Sequence, residues 1–389
     1  GGGLSEETTY ANSDQLIGLV SALLELRCWD GALALLEVLK GEGVDAASYE
    51  SVHNALADLL HWLLEDLYAP HSFSGLQLAR LNKGDDVSLS KPRITYKSKQ
   101  EDELRAVEGI VTMPHQVERL PAGAETLADF PTLISPLMVW LGHYIHRHVQ
   151  VWTEVCRLLK EHIRFVLEKV GAASSLANKA AALQPATTLM VRAMLPALSC
   201  STNIPYISSL IWDCLKQYPY ELRFDIYTLW KGKGLGKEGL GDPKKPLDCS
   251  FAEATALLGA KAKLKRLTKE NMRMIGKQLA EFSTTNPFVV FGLVLNQVTV
   301  YENLIPFVVG SLAISTSLSR DVMAYCICIH LERDKDKQNS RVREGETSVS
   351  SAFSLLSKFI ANFYRRFPTV EIKGPLHYPP QLVGSQFDF

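Results

Sequence analysis

Apolar residues recur three and four positions apart along nearly the whole chain, and that spacing leaves little room for anything but helices. Leu16, Leu19, Val20, Leu23 and Leu26 share one face. The stretch WDGA then breaks the helix, with Asp30 placed to cap the next, which carries Leu33, Leu36 and Leu39. A third face joins Tyr49, Val52, Leu56, Leu59, Leu60, Leu63 and Leu67, with Asp45 as its candidate cap and Pro70 just beyond its end. Three helices with short links and wide apolar faces cannot each bury that face alone, which is the logic of a stacked array.

The same spacing resumes near Phe130 and predicts helices over 136–169, 186–197, 204–217, 219–230, 250–266, 269–282, 287–300, 302–317, 319–332 and 350–367. Pro136, Pro205, Pro219 and Pro287 fall near helix starts, where a missing N–H costs little. Thr268 is expected to cap the helix at 269, and Ser350 the last one, whose stripe is Phe353, Leu356, Ile360, Phe363 and Phe367. Strand-like alternation is almost absent, and no exact repeat of about 34 or 40 residues is visible. The expected fold class is all-α, a helical-repeat (HEAT/ARM-like) solenoid with degenerate repeats.

The expected organisation has four parts. Residues 1–70 form an N-terminal helical-repeat segment. Residues 71–126 are polar, with one short helical candidate at 101–112, and read as a long, partly disordered connection. Residues 127–367 form the main helical domain, interrupted by a charged loop at 332–346, and 368–389 read as an extended tail. The chain opens GGGL without Met, so a piece of a longer protein is expected.

Several function classes lack a signal. GLGKEG (234–239) fits G-x-G-x-x-G, but a helix precedes it rather than a strand, and Glu238 stands where a P-loop needs Ser or Thr. It reads as an inter-helix loop. His143, His146 and His148 cluster, and the first two share a helix face, yet there is no H-E-x-x-H and no acid between them. There is no G-x-S-x-G. Seven scattered cysteines without a C-x-x-C fit buried thiols in a reducing compartment, and Cys326 and Cys328, two apart, cannot alone make a pair of good zinc ligands. FVVFGLVL (288–295) and AYCICIHL (324–331) stop well short of the ~20 residues that span a bilayer. No catalytic residue, cofactor or metal is assigned, and no membrane partner.

Charge is more informative. The formal net charge is only −1, but residues 1–70 hold twelve acids against two Lys/Arg, and residues 231–277 hold twelve Lys/Arg against five acids. Different faces therefore suit different partners. Lys261, Lys265, Lys269, Arg273 and Lys277 come every fourth residue, with Arg266 beside them, while Leu264, Leu267, Ile275 and Leu279 hold another side for the core. Lys231 and Lys233 open a basic loop nearby. Such a ridge suits a phosphate backbone, read with only weak sequence specificity because stacking aromatics are missing, or an acidic protein surface. A solvated helix face is the plain alternative.

PYELRFDIYTLWKG (219–232) resembles the signature of the THO complex subunit two family, the large scaffold of the transcription-coupled mRNA export machinery. The matching residues are Pro219, Tyr220, Arg223, Tyr227, Trp230 and Lys231. KRLTKEN (265–271), NP (286–287), YENLIP (301–306) and DVMAYCI (321–327) follow in the family's order, and LIGLVSALLELRCWDGALALLE (16–37) is similar to a stretch nearer its N-terminus. The similarity is dense over 130–367. The proline of NLIP, Gly310 and the loop 231–245 depart from the pattern. The resemblance implies an α-solenoid whose middle part is similar to the middle domain of translation-initiation scaffolds. It further implies a nuclear, non-catalytic role, with other THO subunits, the DEAD-box RNA helicase of the export pathway and mRNA as partners. A helical-repeat transport adaptor and an RNA-binding protein unrelated to export are the rival readings.

Overall fold

The structure is a computed structural model that describes residues 3–72, 124–202, 204–232, 246–268, 270–343 and 351–376. The helical candidate at 101–112, nearly all of the connection 71–126, the GLGKEG loop, Ser350 and the last thirteen residues lie outside the described residues. Among the described residues there is no β-strand. The chain divides into two compact units, 1–169 and 170–389.

In the first unit, helices α1 (Gly3–Glu25), α2 (Trp29–Gly41) and α3 (Glu50–Tyr68) pack together, with α1 against both of the others. Ile17, Val20, Leu24, Leu36, Leu39, Leu56 and Leu60 fill the space between them. The break after α1 comes before WDGA: Arg27 takes a left-handed φ of 59°, and Trp29 and Asp30 already belong to α2. The turn holds because Cys28 N–H donates to the Leu23 carbonyl at 2.8 Å and the Arg27 guanidinium lies 4.0 Å over the Trp62 ring. Asp30 does not cap α2 but adds an acid to its first turn. Asp45 does not cap α3 either; Tyr49 precedes that helix, and Asp45 accepts a hydrogen bond from the Tyr144 hydroxyl at 3.0 Å.

Helix α4 (Ala124–Leu141) contains both Pro131 and Pro136, so Pro136 is interior rather than near a start. The stripe of Phe130, Ile134, Leu137 and Leu141 runs through both prolines, and its burial outweighs the lost backbone bonds. A 3₁₀ turn, Gly142–Arg147, leads into α5 (Val149–Val170). Buried Glu154 of α5 meets His61 of α3 at 2.8 Å, and Arg157 donates to the Tyr68 hydroxyl at 2.6 Å.

The second unit begins with α6 (Leu176–Ala182) and α7 (Gln184–Leu189), a π turn at Met190–Met194, and α8 (Leu195–Cys200). The π turn sits where Pro196 would otherwise leave an α-helical carbonyl without its donor. Then come α9 (Pro205–Leu215), α10 (Tyr220–Trp230), α11 (Leu247–Lys265), α12 (Met272–Thr285), α13 (Pro287–Val298) and α14 (Leu304–Leu312). The last three are α15 (Ser317–Arg343), α16 (Ser351–Arg366) and α17 (Lys373–Leu376). Pro205 and Pro287 stand at helix starts, as their missing N–H favours. Each helix from α11 packs on the next but one: α11 on α13, α12 on α14, α13 on α15, α14 on α16. That recurring pattern is the packing of an all-α solenoid.

Two expectations about chain ends change. The charged segment from Glu332 continues α15 to Arg343 instead of looping. It holds no Gly or Pro before Gly345, and its Lys, Arg, Glu and Gln are good helix formers. In the tail, α17 forms where Tyr364 donates to the Glu371 carbonyl at 2.9 Å and Gly374 lets the backbone close on Phe224.

Three of the blocks that carry the family resemblance, 219–232, 286–287 and 321–327, meet inside this unit. Arg223 of α10 grips Asp321 of α15 with two bonds, Nε to Oδ2 at 2.7 Å and Nη2 to Oδ1 at 3.1 Å. The Tyr227 hydroxyl donates to the same Oδ2 at 2.8 Å, and Arg223 Nη1 donates to the Tyr218 carbonyl at 3.1 Å. Burial pushes the Asp321 carboxyl above its ordinary pKa, opposed by the bonds from Arg223 and Tyr227; burial and the Asp321 charge push Tyr227 well up. Around this pair Trp230 stands edge-on to Phe288 at 4.8 Å, and Tyr227, Phe288 and Tyr325 meet pairwise edge to face. Trp230 Nε1 donates to the Ser199 hydroxyl at 3.1 Å, while Asn286 donates to the Ser199 carbonyl at 3.1 Å. We expect Asp321→Ala, which strands a buried guanidinium, to cost about 3–5 kcal/mol in urea denaturation. Adding Arg223→Ala should cost less than the sum of the two single changes, and strict additivity would show that the pair is not coupled.

Candidate functional site

Helices α11 and α12 are joined by the six residues 266–271 and form a hairpin. Gly259 makes their approach close, since a Cβ there would stand 2.7 Å from Phe282 Cζ. Lys261 and Lys265 are exposed on α11, Arg266 is exposed just past its end, and Arg273 and Lys277 are exposed on α12. The hairpin gathers these five near its turn rather than along one straight line. Lys233 and Lys269 lie outside the described residues. Lys231 is half-buried at the end of α10. Ile275 and Leu279 are buried as expected, whereas Leu264 and Leu267 are half-buried.

Thr268 and Asn271 fix the turn. Asn271 N–H donates to the Thr268 hydroxyl at 3.3 Å, and Thr268 N–H donates to Asn271 Oδ1 at 2.8 Å. Asn271 Nδ2 also donates to the Arg266 carbonyl at 2.7 Å, and the helix itself opens only at Met272. Thr268 thus caps the turn, not the helix. Lys263 and Lys265 complement the C-terminal dipole of α11. Arg273 does the reverse, lying in the first turn of α12 where no acid accompanies it. Among the described residues, none of the five cations forms an ion pair.

The outer face of α11 adds a feature that the spacing of its cations alone does not reveal. Leu247, Phe251 and Leu258 are 83%, 74% and 68% exposed, with Ala254 exposed between them. The buried side of the same helix holds only small residues, Cys249, Ala256 and Ala260. Cys249 Sγ lies 3.1 Å from Cys200 Sγ at the end of α8, so this small side is packed tight. The signal was present in the sequence as apolar residues spaced four, three and four apart, on the same face as Lys261 and Lys265.

The histidines part company. His146 Nδ1 donates to the His143 carbonyl at 2.7 Å within the 3₁₀ turn. His148 pairs instead with His53 of α3, Nε2 to Nδ1 at 2.9 Å. The Arg147 guanidinium, which can only donate, faces His53 Nε2 at 3.2 Å, so His53 Nδ1 is the donor to His148. Burial, His148 and Arg147 together lower the His53 pKa to about 4, despite Glu50. The His61 pKa is raised, first by its hydrogen bond to Glu154. Among the described residues no group of three or more His, Cys, Asp or Glu is arranged to hold a metal.

A family model described as THO complex subunit 2 N-terminus matches residues 6–277, well over half of the chain. The chain belongs to the THO complex subunit 2 family. A second model, described as transcription- and export-related complex subunit, matches residues 279–357, so the two meet inside α12. THO complex subunit 2 of Homo sapiens is 26% identical over 377 residues, covering 96% of this chain and 21% of the relative. Its namesake in Arabidopsis thaliana is 25% identical over 262 residues, 65% of this chain and 14% of the relative. That of Saccharomyces cerevisiae is 22% identical over 340 residues, 85% of this chain and 20% of the relative. The chain thus spans about a fifth of the length of the Homo sapiens relative. Of the THO subunit 2 blocks quoted above, 219–232, 286–287 and 321–327 supply the buried knot of α10, α13 and α15, while KRLTKEN (265–271) carries the exposed Lys265 and Arg266.

The histidine pair sets a pH dependence. Unfolded His53 accepts a proton near pH 6.5, whereas in the fold it does so only near 4. Stability therefore falls as the pH drops through that window. His61 has the opposite sign: its contribution is full below about 6.5 and fades as the pH rises through its elevated folded pKa. Urea titrations of the whole chain should show His53→Gln flattening the acid loss relative to its own value at pH 8. An unchanged slope would contradict the lowered pKa of His53 in the fold.

Proposed function

We propose that this chain is part of a non-catalytic scaffold subunit of the THO complex, acting in the nucleus to couple transcription to mRNA processing and export. It would assemble other THO subunits and engage the DEAD-box RNA helicase of the export pathway. The observation that carries this reading is the family match over residues 6–277 and 279–357. The buried geometry fits it: the polar side chains of the knot, Arg223, Asp321 and Tyr227, are spent on one another, as suits a rigid support. Among the described residues no helix is long and apolar enough to cross a membrane.

The mechanism follows from the support. A middle part similar to the middle domain of translation-initiation scaffolds would hold both lobes of the helicase, favour its productive arrangement and so speed its ATP cycle. No residue of this chain would touch the reacting atoms. Lys231, Lys233, Lys261, Lys265, Arg266, Lys269, Arg273 and Lys277 are the contact candidates, for a phosphate backbone or for an acidic partner surface. Each phosphate neutralised on a single strand would add a salt slope of about −0.7.

The decisive experiment is the ATPase rate of the export helicase, with RNA present, with and without this chain. The rate should rise with the chain, and reversal of Lys261, Lys265, Lys269 and Lys277 to Glu should abolish most of the rise. No stimulation, together with recovery of cargo receptors but no helicase in a pull-down, would favour the transport-adaptor reading. Strongly salt-dependent RNA affinity of the chain without helicase stimulation would favour a plain RNA-binding protein.

A further inference from the structure

A helix that turns its small residues inward and its large apolar residues outward is built to be covered on both sides. On α11 the six residues Leu247, Phe251, Ala254, Leu258, Lys261 and Lys265 all fall within about 80° of one another at ~100° per residue. Cys249, Ala256 and Ala260 lie opposite. Exposing three large apolar side chains in one row costs free energy in an isolated chain, and contiguous rows of this kind mark interaction sites. The spacing of four, three and four is that of a helix–helix seam, in which side chains of one helix enter the gaps of another.

Charge chooses the occupant. The seam runs directly into Lys261 and Lys265, with Arg266, Arg273 and Lys277 exposed beyond them at the hairpin turn. None of these five has an ion pair among the described residues. The described acids of α11, Asp248 and Glu253, lie off the seam toward its N-terminal half. Arg273 also stands against the dipole of its own helix, which its own fold does not reward. A single nucleic-acid strand would neutralise the cations but would leave Leu247, Phe251 and Leu258 in water, since one phenyl ring offers little for stacking.

We propose that the outer face of α11 docks an acidic amphipathic helix from a protein partner. Its apolar stripe covers Leu247, Phe251 and Leu258, and its Asp/Glu-rich end meets Lys261, Lys265 and the cations of the α11–α12 turn. The row from 247 to 265 rises about 27 Å, enough to seat about five turns of such a helix. The proposal rests on this hairpin alone and holds whether or not the chain meets a helicase.

The test uses the full chain and a labelled helical peptide of about 18 residues with leucines at seam spacing and glutamates on their flanks, followed by fluorescence anisotropy. The peptide should bind in the range of about 1–100 μM. Phe251→Asp should weaken it about tenfold or more, as should Lys261→Glu with Lys265→Glu. A peptide with lysine flanks should fail on the native chain and bind the doubly reversed one. No binding of the acidic peptide, or indifference to Phe251→Asp, overturns the proposal. So does a single-stranded oligouridine probe that depends on Phe251 as strongly as the peptide does. Self-association lost in Phe251→Asp would assign the face to a second copy. Loss of folding stability in that variant, whose native side chain is in water, would assign it to another segment of this chain; either result overturns the proposal. Helicase stimulation measured on the same variants reports separately on the scaffold reading.

Discussion

The second unit depends on one buried ion pair. Arg223 and Asp321 are 98 residues apart in sequence and almost fully removed from solvent, so each is tolerable only because the other is present. Tyr227 and the Tyr218 carbonyl satisfy further acceptor and donor capacity of the pair, which helps keep it from being a liability. The geometry admits one registry of α10 against α15. The aromatic packing of Trp230, Phe288 and Tyr325 then follows from that registry, and so does the position of α13 between them. This explains why the family signature reads as scattered charged and aromatic residues rather than as a reactive constellation.

Much of the architecture was legible in the chain. Spacing of three and four located almost every helix of the described residues, because burial of one apolar stripe decides where a helix can lie. The misplaced details were local. Capping by Asp30 and Asp45 was inferred from residue type, but Asp45 found a stronger partner in Tyr144 across the unit, and Arg27 ended α1 by a cation–aromatic contact invisible to local pattern. Pro136 read as a start because a lone proline gives no hint that the stripe around it is buried enough to pay for its presence. The charged run after Glu332 has the polarity of a loop, but its strong helix formers carry α15 on to Arg343.

The candidate site was half legible. Its cations stood out by spacing, yet the sequence suggested one continuous ridge where the chain in fact doubles back through Thr268 and Asn271. The apolar row on α11 is not legible as exposed in the sequence because leucine and phenylalanine ordinarily belong to the core. Only the packing shows that alanine, glycine and cysteine took the inner side, since α11 lies so close to α8 and α12 that nothing larger fits. The histidines were seen as a trio along the chain. Their chemistry lies instead across space, where His53 was the missing member.

The sequence distance between Arg223 and Asp321 bears on how the unit comes together in time. Closing an unstructured loop of that length would consume about 4 kcal/mol of chain entropy before the contact returned anything. The helices α11 to α14, each resting on a near neighbour, shorten that loop by assembling first from contacts that are cheap to reach. The ion pair then latches a stack already in place. Latches of this kind leave the rate of assembly nearly untouched and govern instead how slowly the finished unit comes apart.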